Sequence, residues 1–166
     1  MALVLIVDDS PTDVHVMQQA LEQHGFRTAA AADGGEGLRL ARELHPDLIL
    51  MDIVMPGVNG FQATRELAND PSTRTIPVIM VTSKAQESDR VWGLRQGAVD
   101  YLVKPLATDQ LVPKAQAAIA TRHAARRHAP SRAPRTSLRA AAGDRPPRPR
   151  RRAGPARVDR RRCGVG

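Results

Sequence analysis

The chain has 166 residues, and its charge is unevenly spread: residues 1–122 hold 11 Lys/Arg against 15 Asp/Glu, whereas residues 123–166 hold 14 Arg against 2 Asp, so the overall net charge of +8 belongs to the C-terminal segment. All four aromatics (Phe26, Phe61, Trp92 and Tyr101) precede residue 122, and a segment made mostly of Arg, Ala, Pro and Gly cannot bury a core. The single Cys163 excludes a disulfide framework or a Cys-based zinc site within one chain; the longest apolar run, residues 2–7, is too short to span a bilayer and has no basic segment before it, so a cytoplasmic protein is expected.

Residues 3–7 are a continuous apolar run with β-branched members that stops at Asp8 and Asp9, which suits a strand buried on both faces. Ser10, Pro11 and Asp13 then supply an N-cap, a first-turn proline and the acidic third position of a capping box; Val14, Met17 and Leu21 follow at helical spacing as far as Gly25. Residues 27–32 form a weaker strand. Asp33 and Glu36 cap a second helix, whose Leu38, Ala41 and Leu44 share a face until Pro46. Residues 48–51 are the third strand, ending at Asp52. A loop with Met55, Pro56 and Gly57 leads through Asn59 and Gly60 into a short helix carrying Phe61, Thr64 and Leu67. Residues 76–81 are the fourth strand, where Pro77 is tolerable only near the start, and Thr82 ends it. A fourth helix with Val91, Leu94 and Ala98 marking its buried face runs to Gly97, and Trp92 lies off that face. Residues 101–103 are the fifth strand, ending at Lys104 and Pro105, and the last helix spans roughly residues 109–121. Strict alternation of strands and helices predicts an α/β fold, a doubly wound five-stranded parallel sheet with helices on both faces.

In open parallel sheets of this kind, ligands bind beyond the carboxyl ends of the strands. Those ends carry Asp8 and Asp9, Asp52, Thr82 and Lys104. Taken singly, each Asp reads as a helix cap or a loop residue, and Lys104 as a solvated charge. Taken together, three carboxylates, a hydroxyl and an ammonium converge on one edge. Crowded carboxylates call for a hard divalent cation such as Mg²⁺. The same parts suit phosphoryl transfer: a carboxylate attacks phosphorus, cation and lysine neutralise the transferring group, and the hydroxyl binds one of its oxygens. Asp52, on the central strand, is the expected nucleophile, with Asp8 and Asp9 as metal ligands.

The segments Val7-Asp8-Asp9-Ser10, Met51-Asp52-Ile53-Val54-Met55-Pro56-Gly57, Val81-Thr82-Ser83 and Tyr101-Leu102-Val103-Lys104-Pro105 together resemble the receiver domain of two-component response regulators, over residues 1 to about 121. The resemblance implies a flavodoxin-like fold of strand order 2-1-3-4-5, phosphorylation by a histidine kinase or its phosphotransfer domain, and a requirement for Mg²⁺. It implies Asp52 as phosphoacceptor, Asp9 as direct metal ligand, Asp8 assisting through water, and the main-chain carbonyl of Val54 as a further ligand. Lys104 would pair with the phosphate, Thr82 would be the switch hydroxyl, Tyr101 the aromatic switch residue, and the bond before Pro105 would be cis. Such a protein is no enzyme towards other molecules; it accepts a phosphoryl group on its own aspartate. Its downstream target would bind the face of helix four, strand five and helix five, on which Trp92 and Tyr101 lie. Residues 50–65 and 91–101 further resemble stand-alone regulators of the chemotaxis-like pathway that controls type IV pilus twitching motility.

Apolar Val54 and the cationic Lys84 beside the site predict slow loss of the phosphoryl group. Pro113, one turn into the last helix, predicts that this helix starts late or is kinked. Residues 1–122 are therefore expected to form the receiver domain and residues 123–166 a disordered basic tail. The tail has three readings: an Arg-rich segment that binds nucleic acid or an anionic membrane, a flexible linker, or a shifted-frame extension of GC-rich codons. A phospho-switch, a nucleic-acid-binding effector acting through the tail, and a degenerate receiver serving as scaffold are the competing functions. No helix-turn-helix pattern follows the receiver.

Overall fold

A computed structural model describes residues 1–83 and 86–128 of the chain. Strands and helices alternate throughout: β1 (Leu3–Val7), α1 (Pro11–Glu22), β2 (Arg27–Ala31), α2 (Gly34–Leu44), β3 (Leu48–Met51), α3 (Gly60–Asn69), β4 (Val78–Thr82), α4 (Glu87–Arg95), β5 (Asp100–Val103) and α5 (Thr108–His128). The five strands form one parallel sheet in the order β2-β1-β3-β4-β5, the flavodoxin-like order that the motif resemblance implies.

Side chains alternate between the two faces of each strand, so a continuous apolar run feeds two separate cores. Leu5, Val7, Ile49, Met51, Val78 and Met80 pack on one face with Leu38 and Ala41 of α2 and Ala63 and Leu67 of α3. Val4, Ile6, Leu48, Leu50, Ile79 and Val81 pack on the other with Met17 and Leu21 of α1 and Leu111, Ala115 and Ile119 of α5. Each large aliphatic side chain buried in this way contributes roughly 1.5–3 kcal/mol.

Register places the strand ends together. Val7 pairs with both Ala31 and Met51, and Thr82 with Val103. The chain leaves β1 and β3 side by side: Asp8 N–H donates to the Ala31 carbonyl at 3.0 Å and Asp52 N–H to the Val7 carbonyl at 2.9 Å.

Three expectations are corrected. β4 starts at Val78 rather than Ile76, because Pro77 has no N–H for the ladder; its carbonyl still accepts from Ile49 N–H at 3.0 Å. Of the expected buried face of the fourth helix, Ala98 is buried just past the end of α4, but Val91 and Leu94 are each 41% exposed; within α4 the buried residue is Gly93, so the helix meets the sheet through a residue without a side chain. The last helix starts at Thr108, contains Pro113 and continues to His128, beyond the expected end at Thr121. Pro113 falls on the exposed side, where water can reach the backbone carbonyl that its missing N–H cannot serve. Past Thr121 the helix is anchored by Arg122, which is buried and donates to the Pro46 carbonyl. Lys84, Cys163 and the Arg-rich runs of the tail lie outside the described residues. Among the described residues no helix is long and apolar enough to cross a membrane.

Candidate functional site

The carboxyl edge of the sheet gathers Asp8, Asp9 and Asp52, whose ligand oxygens all lie within 4.8 Å of one another. Asp8 and Asp52 are buried, Asp9 is exposed. Asp8 uses both oxygens: Oδ1 accepts from Ser10 N–H at 2.9 Å and Oδ2 from Lys104 Nζ at 2.6 Å. Asp52 Oδ1 accepts from its neighbour Ile53 N–H at 2.8 Å, and Oδ2 lies 3.8 Å from Lys104 Nζ. Burial pushes the Asp52 carboxyl up to about 6; Lys104 opposes the rise, and the charges of Asp8 and Asp9 add to it. Such a set of hard oxygen donors, with more negative than positive charge, fits a divalent cation such as Mg²⁺.

The loop after Asp52 is held from below. Gly60 opens α3 with its N–H on the Ile53 carbonyl at 3.0 Å, and a Cβ there would stand 2.0 Å from the Asp52 carbonyl oxygen. Only glycine lets the helix approach so closely. Gly57, in the same loop, has φ +76, a conformation that side-chain-bearing residues rarely adopt. Val54, between Asp52 and Gly57, turns its side chain outward and is 54% exposed.

Lys104 follows β5, and its N–H donates to the Thr82 carbonyl at 2.8 Å, so β4 and β5 bring the hydroxyl-bearing and ammonium-bearing residues to the same edge. Thr82 is fully buried. The Lys104–Pro105 peptide is cis. Burial alone would lower the affinity of the Lys104 amine for its proton; hydrogen bonds to Asp8 and Asp13 and the charge of Asp52 reverse that, and its pKa ends above the ordinary lysine value. Tyr101, like Phe61, packs partly buried against the core face that contains Met80; burial, with the charge of Asp89, raises its phenol above the usual range. Trp92, on α4, is 50% exposed and is not part of the acidic edge.

One member of the site escapes the sequence reading. Asp13 Oδ2 lies 2.9 Å from Lys104 Nζ, although the sequence marks it only as a capping-box residue. The box is half made: Ser10 Oγ accepts from Asp13 N–H at 3.4 Å, but Ser10 N–H goes to Asp8, which frees the Asp13 carboxylate for the lysine. No local pattern signals this, since the contact spans 91 positions.

Residues 4–116 match the response regulator receiver domain. The chain is 55% identical over 120 residues to protein PilH of Pseudomonas aeruginosa, an alignment that covers 72% of this chain and 99% of that one. It is 40% identical over 114 residues to the DNA-binding response regulator MtrA of Mycolicibacterium smegmatis, spanning 49% of that longer protein. Among solved structures it resembles the receiver domain of a sensor histidine kinase from Pseudomonas aeruginosa with a magnesium ion coordinated in the active site cleft. That match has 34% identity and a TM-score of 0.67, and covers 72% of this chain and 98% of that one.

Proposed function

The chain belongs to the response regulator receiver family of two-component signalling, and from that premise we propose that it is a phosphorylation switch whose acceptor is Asp52. The observation that carries the proposal is the placement of Lys104 Nζ among Asp8, Asp13 and Asp52, at 2.6, 2.9 and 3.8 Å, on an edge where Asp8, Asp9 and Asp52 converge.

In the proposed reaction an Asp52 oxygen attacks the phosphorus of a phosphohistidine on a histidine kinase or its phosphotransfer domain. A P–O bond forms, the P–N bond breaks, and the electron pair leaves with the imidazole, which takes up a proton. Asp9, Asp52 and the Val54 carbonyl would hold Mg²⁺, with Asp8 acting through water, in keeping with both Asp8 oxygens already accepting hydrogen bonds. Bound there, the cation supplies positive charge to the transferring group. Lys104 supplies a second positive centre and Thr82 a hydroxyl for a phosphoryl oxygen. The outward, apolar Val54 side chain offers nothing to orient an attacking water, which favours slow self-dephosphorylation.

Phosphorylation adds roughly −1.5 to −2 charge at this edge. Thr82 at the end of β4 and Tyr101 in β5 link it to α4, where Val91, Trp92 and Leu94, with Val99 and Val103 nearby, are each more than a third exposed. This apolar face is the proposed partner surface, and the population that binds there shifts with phosphorylation. The identity to PilH, together with the motif resemblance, supports a place in the chemotaxis-like pathway controlling type IV pili. The nucleic-acid reading rests on the tail, most of which lies outside the described residues.

Acetyl phosphate with Mg²⁺ is expected to label the purified protein, and Asp52→Ala to abolish the label. Retention of the label in Asp52→Ala, detected by intact mass, would sink the assignment.

A further inference from the structure

We infer that Asp13 is a positioning residue for Lys104: it shares the ammonium with Asp8 and so holds it off the acceptor carboxylate until a phosphoryl group arrives. The inference rests on the reading of Asp52 as acceptor and adds a residue to its machinery.

The geometry is specific. Lys104 Nζ has three hydrogens, and two acceptors stand within hydrogen-bond distance, Asp8 Oδ2 at 2.6 Å and Asp13 Oδ2 at 2.9 Å. Asp52 Oδ2, at 3.8 Å, is close enough to feel the charge but too far to take a hydrogen bond. Asp13 reaches the lysine from a fixed base. It sits in the first turn of α1, where Ser10 Oγ accepts its N–H and the Ser10 carbonyl accepts from Val14 N–H at 3.0 Å. Because Asp8 takes the Ser10 N–H, the Asp13 carboxylate has no duty in the helix cap.

A carboxylate whose oxygen accepts a strong hydrogen bond from an ammonium is a poorer nucleophile, because the lone pair that must reach phosphorus is engaged. Two-point anchoring by Asp8 and Asp13 keeps that lone pair available and leaves the third hydrogen of Nζ for a phosphoryl oxygen. With Asp13 gone, Asp8 at 2.6 Å is the one anchor left of the two and Asp52 at 3.8 Å is the next anion, so the ammonium shifts towards Asp52 and shares a hydrogen with it. Phosphoryl entry then slows. Once the phosphoryl group is in place, a lysine with one anchor fewer binds it more closely, and its loss slows as well. Asp13 is 42% exposed at the side chain and Lys104 14%, so solvent limits the effect to a few-fold change.

The test uses the full chain with acetyl phosphate as donor, comparing wild type, Asp13→Ala, Asp13→Asn and Asp13→Glu across a range of Mg²⁺ concentrations. In the Ala and Asn variants the plateau labelling rate is expected to fall about fivefold, the Mg²⁺ concentration at half-plateau to stay unchanged, and the label to decay more slowly than in wild type. Asp13→Glu, which keeps the charge, is expected to restore the plateau. A variant that only weakened the fold would not lengthen the lifetime of the label. Wild-type plateau rates in Asp13→Ala and Asp13→Asn, a deficit cured by excess Mg²⁺, or a decay no slower than wild type would each overturn the inference while Asp52→Ala still abolished the label. Persistent labelling of Asp52→Ala would instead overturn the acceptor assignment, and this inference with it.

Discussion

Asp52 occupies a place where a carboxylate is costly: buried, beside two other acids, with the Lys104 ammonium 3.8 Å away. Its carboxyl, raised to about 6, binds a proton more tightly in the folded chain than in the unfolded one, whose ordinary value is near 4. The folded state is therefore favoured below about pH 4, and this contribution is lost as pH rises towards 6, leaving a penalty of up to about 3 kcal/mol at neutral pH without a divalent cation. Asp52→Asn removes the penalty. Urea unfolding in chelator is expected to show the variant more stable than wild type by about 1–3 kcal/mol at pH 7.5 and nearly equal to it at pH 4; a difference independent of pH would mean that burial of the charge is not its cause. Mg²⁺ should close the gap by neutralising the acidic edge of the wild type. Asp8, Asp9, Asp52, Thr82 and Lys104 were all legible in the sequence, because each ends its strand. Asp13 was not, because its sequence context, Ser10-Pro11-Thr12-Asp13, reads fully as a helix start.

Beyond the late start of β4, the sequence misleads about α4 and α5, and for opposite reasons. Val91 and Leu94 have helical spacing and apolar side chains, which predicts a buried face; yet Gly93 is the residue at the sheet, where a Cβ would come 3.2 Å from Met80 Cγ. Small size, rather than hydrophobicity, decides which side of α4 fits. In α5 the sequence weighed Pro113 as a disruption and the Arg-rich stretch as the onset of the tail. The helix runs through Pro113 and on as far as His128 among the described residues, held by Leu111, Ala115 and Ile119 in the core and by Arg122 and His123 at the Asp47 carboxylate. Asp47 also accepts from Leu3 N–H at 3.0 Å, so one side chain ties the start of β1 to the far part of α5. Burial opposes charge on Asp47, but that hydrogen bond, together with those from His123 and Arg122, holds its carboxyl below the usual range. Pro113 still costs a backbone hydrogen bond inside α5. Pro113→Ala is expected to stabilise the protein by about 1–2 kcal/mol, the gained hydrogen bond offset in part by a freer unfolded chain. An unchanged or lowered urea midpoint would show that the helix already accommodates the ring without loss.

At the scale of the whole molecule, the acidic residues 1–122 and the basic residues 123–166 are separate in composition. The two cores draw on residues between Val4 and Ile119, and the acidic edge lies between Asp8 and Lys104. A chain ending at His128 is accordingly expected to fold and to take label from acetyl phosphate at the rate of the full chain. A markedly slower rate, measured side by side, would show that the basic segment contributes to the site. By itself the sequence determined the alternation of strands and helices, the two-faced burial of the central strands and the placing of acid, hydroxyl and lysine at strand ends. These follow from local periodicity and from where apolar runs stop, which neighbouring residues dictate. Only the tertiary structure decided which acids share the lysine, which side of α4 meets the sheet, and how α5 is anchored past Thr121. Each depends on the distance between segments far apart in the chain: Asp13 and Lys104 are 91 positions apart, and Arg122 and Pro46 are 76. Such distances are set by the packing of α1, α4 and α5 on the sheet, to which no single stretch of residues holds the key.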